Sequence, residues 1–231
     1  MANGFAEDHT YKSGNQKLEG YVIDKGKNAP LVFLVHDWDG IDEYEKKRSQ
    51  MIADLGYSVF AMDLFGKGVR PQKTEDKIKL VTQLYKDRKK MRELMNVALV
   101  EAKKIGLSTN KAIVVGYCFG GTAVLEWAKS GIALNGFVSF HGGLKPEAND
   151  SYKSTKSEIL VFHGSADESV SLQDFSQLAE LLEKEHIPHE MITYSGAPHA
   201  FTKFDSDRYR KNADEKSWSR FVVFLKDHLL K

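Results

Sequence analysis

The single cysteine of the chain lies in a sequence frame that is typical of a nucleophile. Cys118 occupies the centre of the segment GYCFGG at residues 116–121, directly after the apolar run at residues 112–115. Glycines spaced in this way allow a sharp strand-to-helix turn that exposes the central side chain at the start of a helix. The helix dipole favours the thiolate there, which is the reactive form. An inert, buried cysteine is the alternative. Because no serine lies in an equivalent frame, the pattern predicts that Cys118 is a nucleophile for acyl transfer.

A cysteine nucleophile needs a base, and the base needs a group that orients it. Asp167 follows the apolar run at residues 159–162, and His199 follows the run at residues 190–194. Both residues therefore come after predicted strands, in the chain order nucleophile, acid, histidine that accompanies such a turn. We predict that His199 is the base and that Asp167 orients it. Asp174 is the alternative acid, although its position favours the helix that follows.

The other histidines have simpler explanations. Those that end apolar runs are expected to pack or to hydrogen bond near the edge of the sheet: His36, His141 and His163. The remainder lie where solvent-facing or turn roles suffice: His9, His186, His189 and His228.

The loop after the first long apolar run supplies further candidates. It covers residues 36–40, with the sequence HDWDG. In a fold with this kind of turn, one oxyanion-binding backbone N–H comes from that loop and another from the residue after the nucleophile. The sequence therefore predicts the backbone N–H groups of Trp38 and Phe119 as the oxyanion hole. Asp37 is either a charge that tunes the thiol or a solvated turn residue that caps the loop glycine.

Apolar runs alternate with segments of helical periodicity along the chain. The predicted strands lie at residues 18–23, 31–35, 57–62, 112–115, 136–140, 159–162 and 190–194, the first of them antiparallel to its neighbour. The predicted helices lie at residues 44–55, 74–105 in two pieces, 122–130, 175–182 and 218–229. This alternation predicts an α/β fold, in which a mostly parallel sheet carries helices on both faces and sites at the carboxyl ends of its strands. Since no segment resembles a linker, we expect a single domain over residues 1–231.

Composition argues against several functional classes. The 231 residues include 33 Lys+Arg and 32 Asp+Glu, a net charge of +1 that argues against a general nucleic-acid-binding protein. One cysteine cannot form an intrachain disulfide or a multi-cysteine metal site. No run approaches the roughly 18 apolar residues of a membrane span, and residues 1–4 show no signal-peptide pattern. We expect a cytoplasmic protein, the alternative being a periplasmic or secreted one whose signal peptide has been removed.

The chain resembles the dienelactone hydrolase family of α/β-hydrolases, from Leu18 through the last helix. The resemblance rests on the segment at 116–121, on His163-Gly164 with Asp167, and on the segment GAPHAF at 196–201. It implies an α/β-hydrolase fold and a Cys–His–Asp triad that hydrolyses an enol-lactone or a related ester, without a metal or organic cofactor. The expected partner is a small-molecule ester or lactone, with no nucleic-acid or membrane partner, and the expected state is a monomer or small homo-oligomer.

Two features depart from the family pattern. The family often has Glu after the histidine of the first core loop, where this chain has Asp37 with a side chain one methylene shorter. Arginines hold the substrate carboxylate in the dienelactone enzymes, whereas this chain has Lys203 four residues after His199. Lys203 and Arg70 are therefore the candidates for binding an anionic group of the substrate.

Other functions stay open from the sequence. An acyltransferase or a peptidase could use the same fold and the same nucleophile. A thiol redox sensor would use Cys118, although such sensors usually keep a resolving cysteine nearby. A binding module would need no ordered acid and base.

Overall fold

The computed structural model describes residues 5–230, which divide between Val114 and Val115 into two units. Unit 1 covers the described residues up to Val114, and unit 2 begins at Val115. The first four residues, where the sequence predicts no signal peptide, lie outside the described residues. The expectation of a single domain over the whole chain stays a prediction.

Unit 1 holds the N-terminal strands and the first helices. Its strands are β1 (Ala6–Ser13), β2 (Gln16–Ile23), β3 (Pro30–Val35), β4 (Ser58–Met62) and the first part of β5 (Ser108–Tyr117). Its helices are α1 (Glu43–Asp54), α2 (Thr74–Lys86) and α3 (Arg88–Lys104). β2 is antiparallel to both β1 and β4, whereas β3 is parallel to β4.

The apolar runs of unit 1 form its core. Every residue of β3 and β4 is buried, as expected for strands without polar alternation. The two predicted pieces of the 74–105 helix are α2 and α3, which meet at Asp87. The carboxylate of Asp87 accepts a hydrogen bond from the N–H of Lys90 at 2.8 Å, so it caps the start of α3.

Unit 2 holds the remaining strands and helices. They are α4 (Phe119–Lys129), β6 (Gly136–Phe140), β7 (Ile159–Gly164), α5 (Leu172–Lys184), β8 (His189–Tyr194) and α6 (Lys211–Leu229). β6 is parallel to β7, and β7 is parallel to β8. The carboxyl ends of these three strands therefore lie at the same edge, and the segments that follow them start there.

The strand order confirms the predicted fold class. Within the described residues, eight strands follow the order β1-β2-β4-β3-β5-β6-β7-β8 in the sheet. The sheet is mostly parallel, with antiparallel pairing at the β1–β2 and β2–β4 pairs. The fold is thus α/β, as the alternation of apolar runs and helical segments indicates.

The structure differs from the sequence expectation in a few elements. Strand β1 was not predicted, because Tyr11 is the one fully buried side chain among its eight residues and no apolar pattern marks it. Strand β5 begins four residues before the apolar run at 112–115, and α4 begins at Phe119 rather than at Thr122. Leu55, the last residue of the predicted helix at 44–55, lies one residue beyond α1 as its C-terminal cap and is 42% exposed.

Candidate active site

Cys118 lies at the turn between β5 and α4, in a backbone conformation that residues other than glycine rarely adopt. Its φ and ψ angles are 53° and −115°, and it is the N-terminal cap residue of α4. Its N–H points to the end of β6, 3.0 Å from the carbonyl oxygen of Phe140 and 3.1 Å from Nδ1 of His141. A positive φ costs free energy in a residue other than glycine, so these contacts stabilise a turn that is intrinsically strained.

The glycines around Cys118 are required by close contacts between backbone segments. A Cβ atom at Gly116 would lie 2.2 Å from the carbonyl oxygen of Gly120. A Cβ atom at Gly121 would lie 2.6 Å from Oγ of Ser139 and 2.9 Å from Cα of Gly142. The spacing that marks the nucleophile frame in the sequence therefore has a steric cause in the fold.

The structure brings Cys118, His199 and Asp167 together within unit 2. Nε2 of His199 lies 3.1 Å from Sγ of Cys118, and Nδ1 of His199 lies 2.9 Å from Oδ2 of Asp167. The other carboxylate oxygen of Asp167 accepts hydrogen bonds from the N–H groups of Ser169 at 2.8 Å and Val170 at 2.9 Å. With both of its oxygens engaged, Asp167 holds the imidazole in a fixed orientation.

The electrostatics of this group favour a proton on His199. Burial disfavours its charged form, but hydrogen bonds and charge from Asp167 and Cys118 outweigh burial and raise the pKa of His199 to about 10. Burial likewise opposes the charge of Asp167, yet its bonds to His199 and to two backbone N–H groups hold the pKa of this carboxyl below its ordinary value. This arrangement therefore favours the charged form of His199, whose Nε2 faces the cysteine sulfur.

The alternative acid, Asp174, has a different role. It is the third residue of α5 and forms a capping box with Ser171, whose N–H and hydroxyl group both contact its carboxylate. Asp174 therefore stabilises the start of the helix.

The three histidines that end apolar runs are buried and hydrogen bonded, as predicted. His163 contacts the carbonyl of Val170 through Nε2 at 2.8 Å. Nε2 of His36 accepts the N–H of Leu64 at 3.1 Å, and burial lowers the pKa of His36, so this ring is neutral. His141 contacts Cys118, which the sequence did not indicate.

Asp37 is buried, so the solvated-turn interpretation of this residue is wrong. It is 4% exposed, and its carboxylate accepts the N–H of Asp39 at 2.7 Å. The N–H of Gly40 lies 3.5 Å from the backbone carbonyl of Asp37, so the loop glycine is not capped by the side chain. The suggestion that Asp37 tunes the thiol stays a prediction.

Glu45 of α1 is a buried residue that contacts this loop and that the sequence analysis missed. Its two carboxylate oxygens accept the N–H of Asp37 at 3.2 Å and the N–H of Asp42 at 3.0 Å. Burial, together with the charges of Asp37 and Asp42, raises the pKa of Glu45 well above its ordinary value. The signal in the sequence is the capping box formed by Asp42 and Glu45 at the start of α1.

Trp38 and Arg70 also belong to unit 1. Trp38 is half-buried, and the Nζ atom of Lys77 lies 5.3 Å from the centre of its ring. The guanidinium of Arg70 donates to the carbonyl of Ile41 through Nε and to that of Val69 through Nη1, the latter at 2.9 Å. Arg70 thus hydrogen bonds to the backbone of two loops. Its role in substrate binding stays a prediction, and so does the role of the Trp38 N–H in the oxyanion hole.

Lys203 lies in the turn that follows His199. Its N–H donates to the carbonyl of Ala200 at 2.9 Å, and its own carbonyl accepts the hydroxyl group of Ser206 at 3.0 Å. Ala200 has a φ of 59°, so this turn is also strained. These contacts fix the backbone of Lys203, and the role of its ammonium group stays a prediction.

Residues 5–230 contain neither a metal-binding cluster nor a membrane-spanning helix. Within this range, no three side chains of His, Cys, Asp or Glu are grouped so that they could hold a metal ion. None of the helices in this range has the length and apolar character needed to span a membrane.

The fold and this arrangement define a class of protein. A nucleophile frame between a strand and a helix, followed by an acid and a histidine after later strands, is typical of the α/β-hydrolases. The chain belongs to the dienelactone hydrolase family, whose family model matches residues 18–229. The protein is therefore a hydrolase of the carboxylic ester and lactone class.

Known proteins similar to this chain carry related names. One is a Bradyrhizobium protein provisionally named 2-oxo-3-(5-oxofuran-2-ylidene)propanoate lactonase, which is 23% identical over 87% of this chain and 84% of the relative. Another is an Aquifex aeolicus protein provisionally named carboxymethylenebutenolidase, which is 25% identical over 95% of this chain and 97% of the relative. The solved structure of m3DLH matches with a TM-score of 0.92 at 24% identity, over 99% of this chain and 100% of that one, and it supports the fold.

The glycine contacts predict a large effect of Gly116→Ala. The new methyl group would lie 2.2 Å from a backbone oxygen, so the turn must shift. We expect a loss of more than about 2 kcal/mol in the free energy of unfolding, measured by urea denaturation. The control is Gly143→Ala, whose methyl group would meet side-chain rather than backbone atoms, the nearest being Oγ1 of Thr122 at 3.0 Å. Equal stabilities of the two variants would contradict the steric account.

The contacts of Asp167 predict a pH-dependent contribution to stability. Because the pKa of Asp167 is lowered in the folded state, its bonds stabilise the protein above the ordinary carboxyl value of 3.8, and this stabilisation is lost as the pH falls through the folded pKa. Asp167→Asn removes the titrating group. We expect its deficit in unfolding free energy to shrink as the pH falls below about 3.8, measured by urea denaturation. A deficit independent of pH would refute this assignment.

Proposed function

We propose that the chain hydrolyses its ester or lactone substrate through a thioester on Cys118. The observation that carries the proposal is the continuous line of contacts from Asp167 through His199 to the sulfur, at 2.9 Å and 3.1 Å. Nucleophilic acyl transfer requires a nucleophile, a base and an orienting acid within hydrogen-bond distance of one another. The chain offers all three in unit 2.

In the proposed first step, the sulfur of Cys118 attacks the carbonyl carbon of the substrate. His199 holds the proton that the thiol has lost, and the raised pKa of this histidine supports that distribution of charge. A carbon–sulfur bond forms, and the carbonyl oxygen becomes negatively charged. When this intermediate collapses, the bond to the ester oxygen breaks and His199 gives its proton to the leaving oxygen.

In the proposed second step, water releases the acyl group. His199, now neutral, takes a proton from a water molecule, which attacks the thioester carbonyl. The carbon–sulfur bond breaks, the acid leaves, and the proton on His199 restores its pairing with the sulfur. Asp167 stabilises the charged imidazole throughout, because it stays ionised near neutral pH.

The proposed oxyanion site uses backbone N–H groups. Phe119 is the first residue of α4, so its N–H belongs to the helix end that carries partial positive charge. Such a group suits an oxyanion that forms beside the neighbouring sulfur. The sequence prediction assigns the second N–H to Trp38.

We further propose an anionic lactone as the substrate. The names of the relatives point to lactones, one of them to a carboxymethylene-substituted butenolide. In this chain, Lys203 follows His199 by four residues in a turn whose backbone is fixed by hydrogen bonds. A compact ammonium group at this position would suit a carboxylate on the substrate.

The proposed triad predicts distinct effects for two aspartates. Asp167→Asn should lower kcat/KM for a small ester or lactone by on the order of 10³-fold or more, because the orienting charge is lost. Asp174→Asn is the matched control and should keep kcat/KM within a few-fold, since that carboxylate caps α5.

Cys118→Ala should be inactive but folded, and Cys118→Ser should be slow, because a hydroxyl group ionises less readily than a thiol. Activity of Cys118→Ala close to that of the parent would refute the mechanism.

The proposed role of Lys203 predicts selectivity between substrates. Lys203→Ala should raise KM for esters that carry a carboxylate and leave KM for neutral esters unchanged, because binding to the charge is lost but chemistry is not. Lys211→Ala is the matched control, since the Lys211 side chain is 76% exposed and lies 3.8 Å from the carboxylate of Glu215, one turn further along α6. Steady-state kinetics with paired substrates measures the effect. Equal changes in KM for both substrates would remove Lys203 from the site.

A further inference from the structure

We propose that His141, together with Thr202, is a positioning residue that fixes the nucleophile turn relative to the turn that carries His199. This inference rests on the proposed function of Cys118 and His199, and it assigns a role to a buried imidazole that the mechanism itself does not use.

The hydrogen bonds of His141 determine which of its ring nitrogens carries the proton. Nδ1 lies 3.1 Å from the backbone nitrogen of Cys118, so it must be the unprotonated acceptor. Nε2 then carries the hydrogen and donates it to Oγ1 of Thr202 at 2.8 Å. Because His141 is 2% exposed and Thr202 is fully buried, solvent cannot easily replace either contact.

The same imidazole reaches the turn that carries the base. Thr202 lies three residues after His199, beyond Ala200 with its φ of 59°. The His141 ring also packs edge to face on the His199 ring, with 5.5 Å between the ring centres and 67° between the planes. The His141 ring therefore contacts both Cys118, at the backbone N–H of the cysteine, and His199, at the imidazole ring of that residue.

Backbone strain supports the same assignment. Cys118, His141 and Ala200 have φ angles of 53°, 40° and 59°. Strained residues persist where the surrounding contacts hold them in place, and they often mark functional sites. The backbone N–H of His141 donates to the carbonyl of Phe162 at 2.7 Å, which anchors the histidine to β7. A rigidly held His141 thus fixes the positions of the strained residues Cys118 and Ala200 relative to the edge of the sheet.

His163 provides an internal comparison. It also ends a strand, is fully buried and contacts a threonine hydroxyl group, Oγ1 of Thr193 at 3.1 Å. Its second partner is the carbonyl of Val170 rather than the nucleophile turn. The hydroxyl groups of Thr202 and Thr193 can therefore be compared, since each contacts a buried histidine. Thr202 is buried and Thr193 is exposed, and only Thr202 supports a histidine that contacts Cys118.

The experiment compares Thr202→Val with Thr193→Val in the full chain. Two rates are measured: alkylation of Cys118 by iodoacetamide near neutral pH, and hydrolysis of a small ester. Cys118 is the only cysteine, so alkylation reports on it alone. We expect Thr202→Val to slow alkylation several-fold and to lower kcat about 10-fold with little change in KM, because small displacements of reacting groups reduce rate. Thr193→Val should match the parent, and Thr202→Ser should restore both rates.

A second pair of variants tests the histidine itself. His141→Asn keeps an acceptor near the Nδ1 position and tolerates a positive φ, whereas His141→Gln moves its amide beyond that position. We expect the Asn variant to stay closer to the parent than the Gln variant in both rates. If His141→Gln does not fold, the threonine pair decides.

The outcomes separate this inference from the proposed function. Folded Thr202→Val with the parent's alkylation rate and kcat would overturn the positioning role, even if Cys118→Ala is inactive. A lower melting temperature with unchanged rates would likewise reduce His141 to a structural residue. Activity of Cys118→Ala equal to that of the parent would instead overturn the proposed function.

Discussion

The left-handed backbone conformation of Cys118 is the constraint on which the rest of the site depends. A φ of 53° in a residue other than glycine costs on the order of 1–3 kcal/mol. It persists because the cysteine N–H is held at the end of β6 and because Gly116 lets the turn close against the backbone of α4. The strain has a consequence for chemistry, since it places the sulfur at the start of a helix and within 3.1 Å of His199.

Parallel pairing of β6, β7 and β8 supplies the remaining partners. The segments that follow these strands begin at one edge, so His141, Asp167 and His199 meet although the chain separates them widely. Each of these residues is engaged by hydrogen bonds, as buried polar groups must be. The cost of burying His199 in charged form is offset by Asp167 and by the sulfur, and the pKa of about 10 follows from that balance.

Much of this arrangement could be predicted from the sequence, for physical reasons. Continuous apolar runs mark buried strands such as β3 and β4, and the glycine spacing around Cys118 reflects backbone contacts that no side chain could occupy. Strand β1 could not be found in this way, because its side chains are mostly exposed and its pairing with β2 depends on backbone hydrogen bonds.

Other features depend on tertiary contacts that a linear pattern does not contain. The burial of Asp37 follows from the packing of its loop, since its N–H reaches Glu45 in α1. The contact between His141 and Cys118 joins residues 23 positions apart and requires the β6 turn to be in place. A histidine at the end of an apolar run predicts burial and a hydrogen bond, but not the partner.

Intact-mass spectrometry after a rapid acid quench shows directly whether Cys118 carries the acyl group during turnover. During turnover of an activated acetate ester, we expect one added acetyl group per chain, localised to the peptide that contains Cys118. The adduct should be lost on treatment with hydroxylamine, as a thioester is. Steady hydrolysis with no adduct on Cys118 at any quench time, or an adduct on another residue, would show that Cys118 is not the nucleophile.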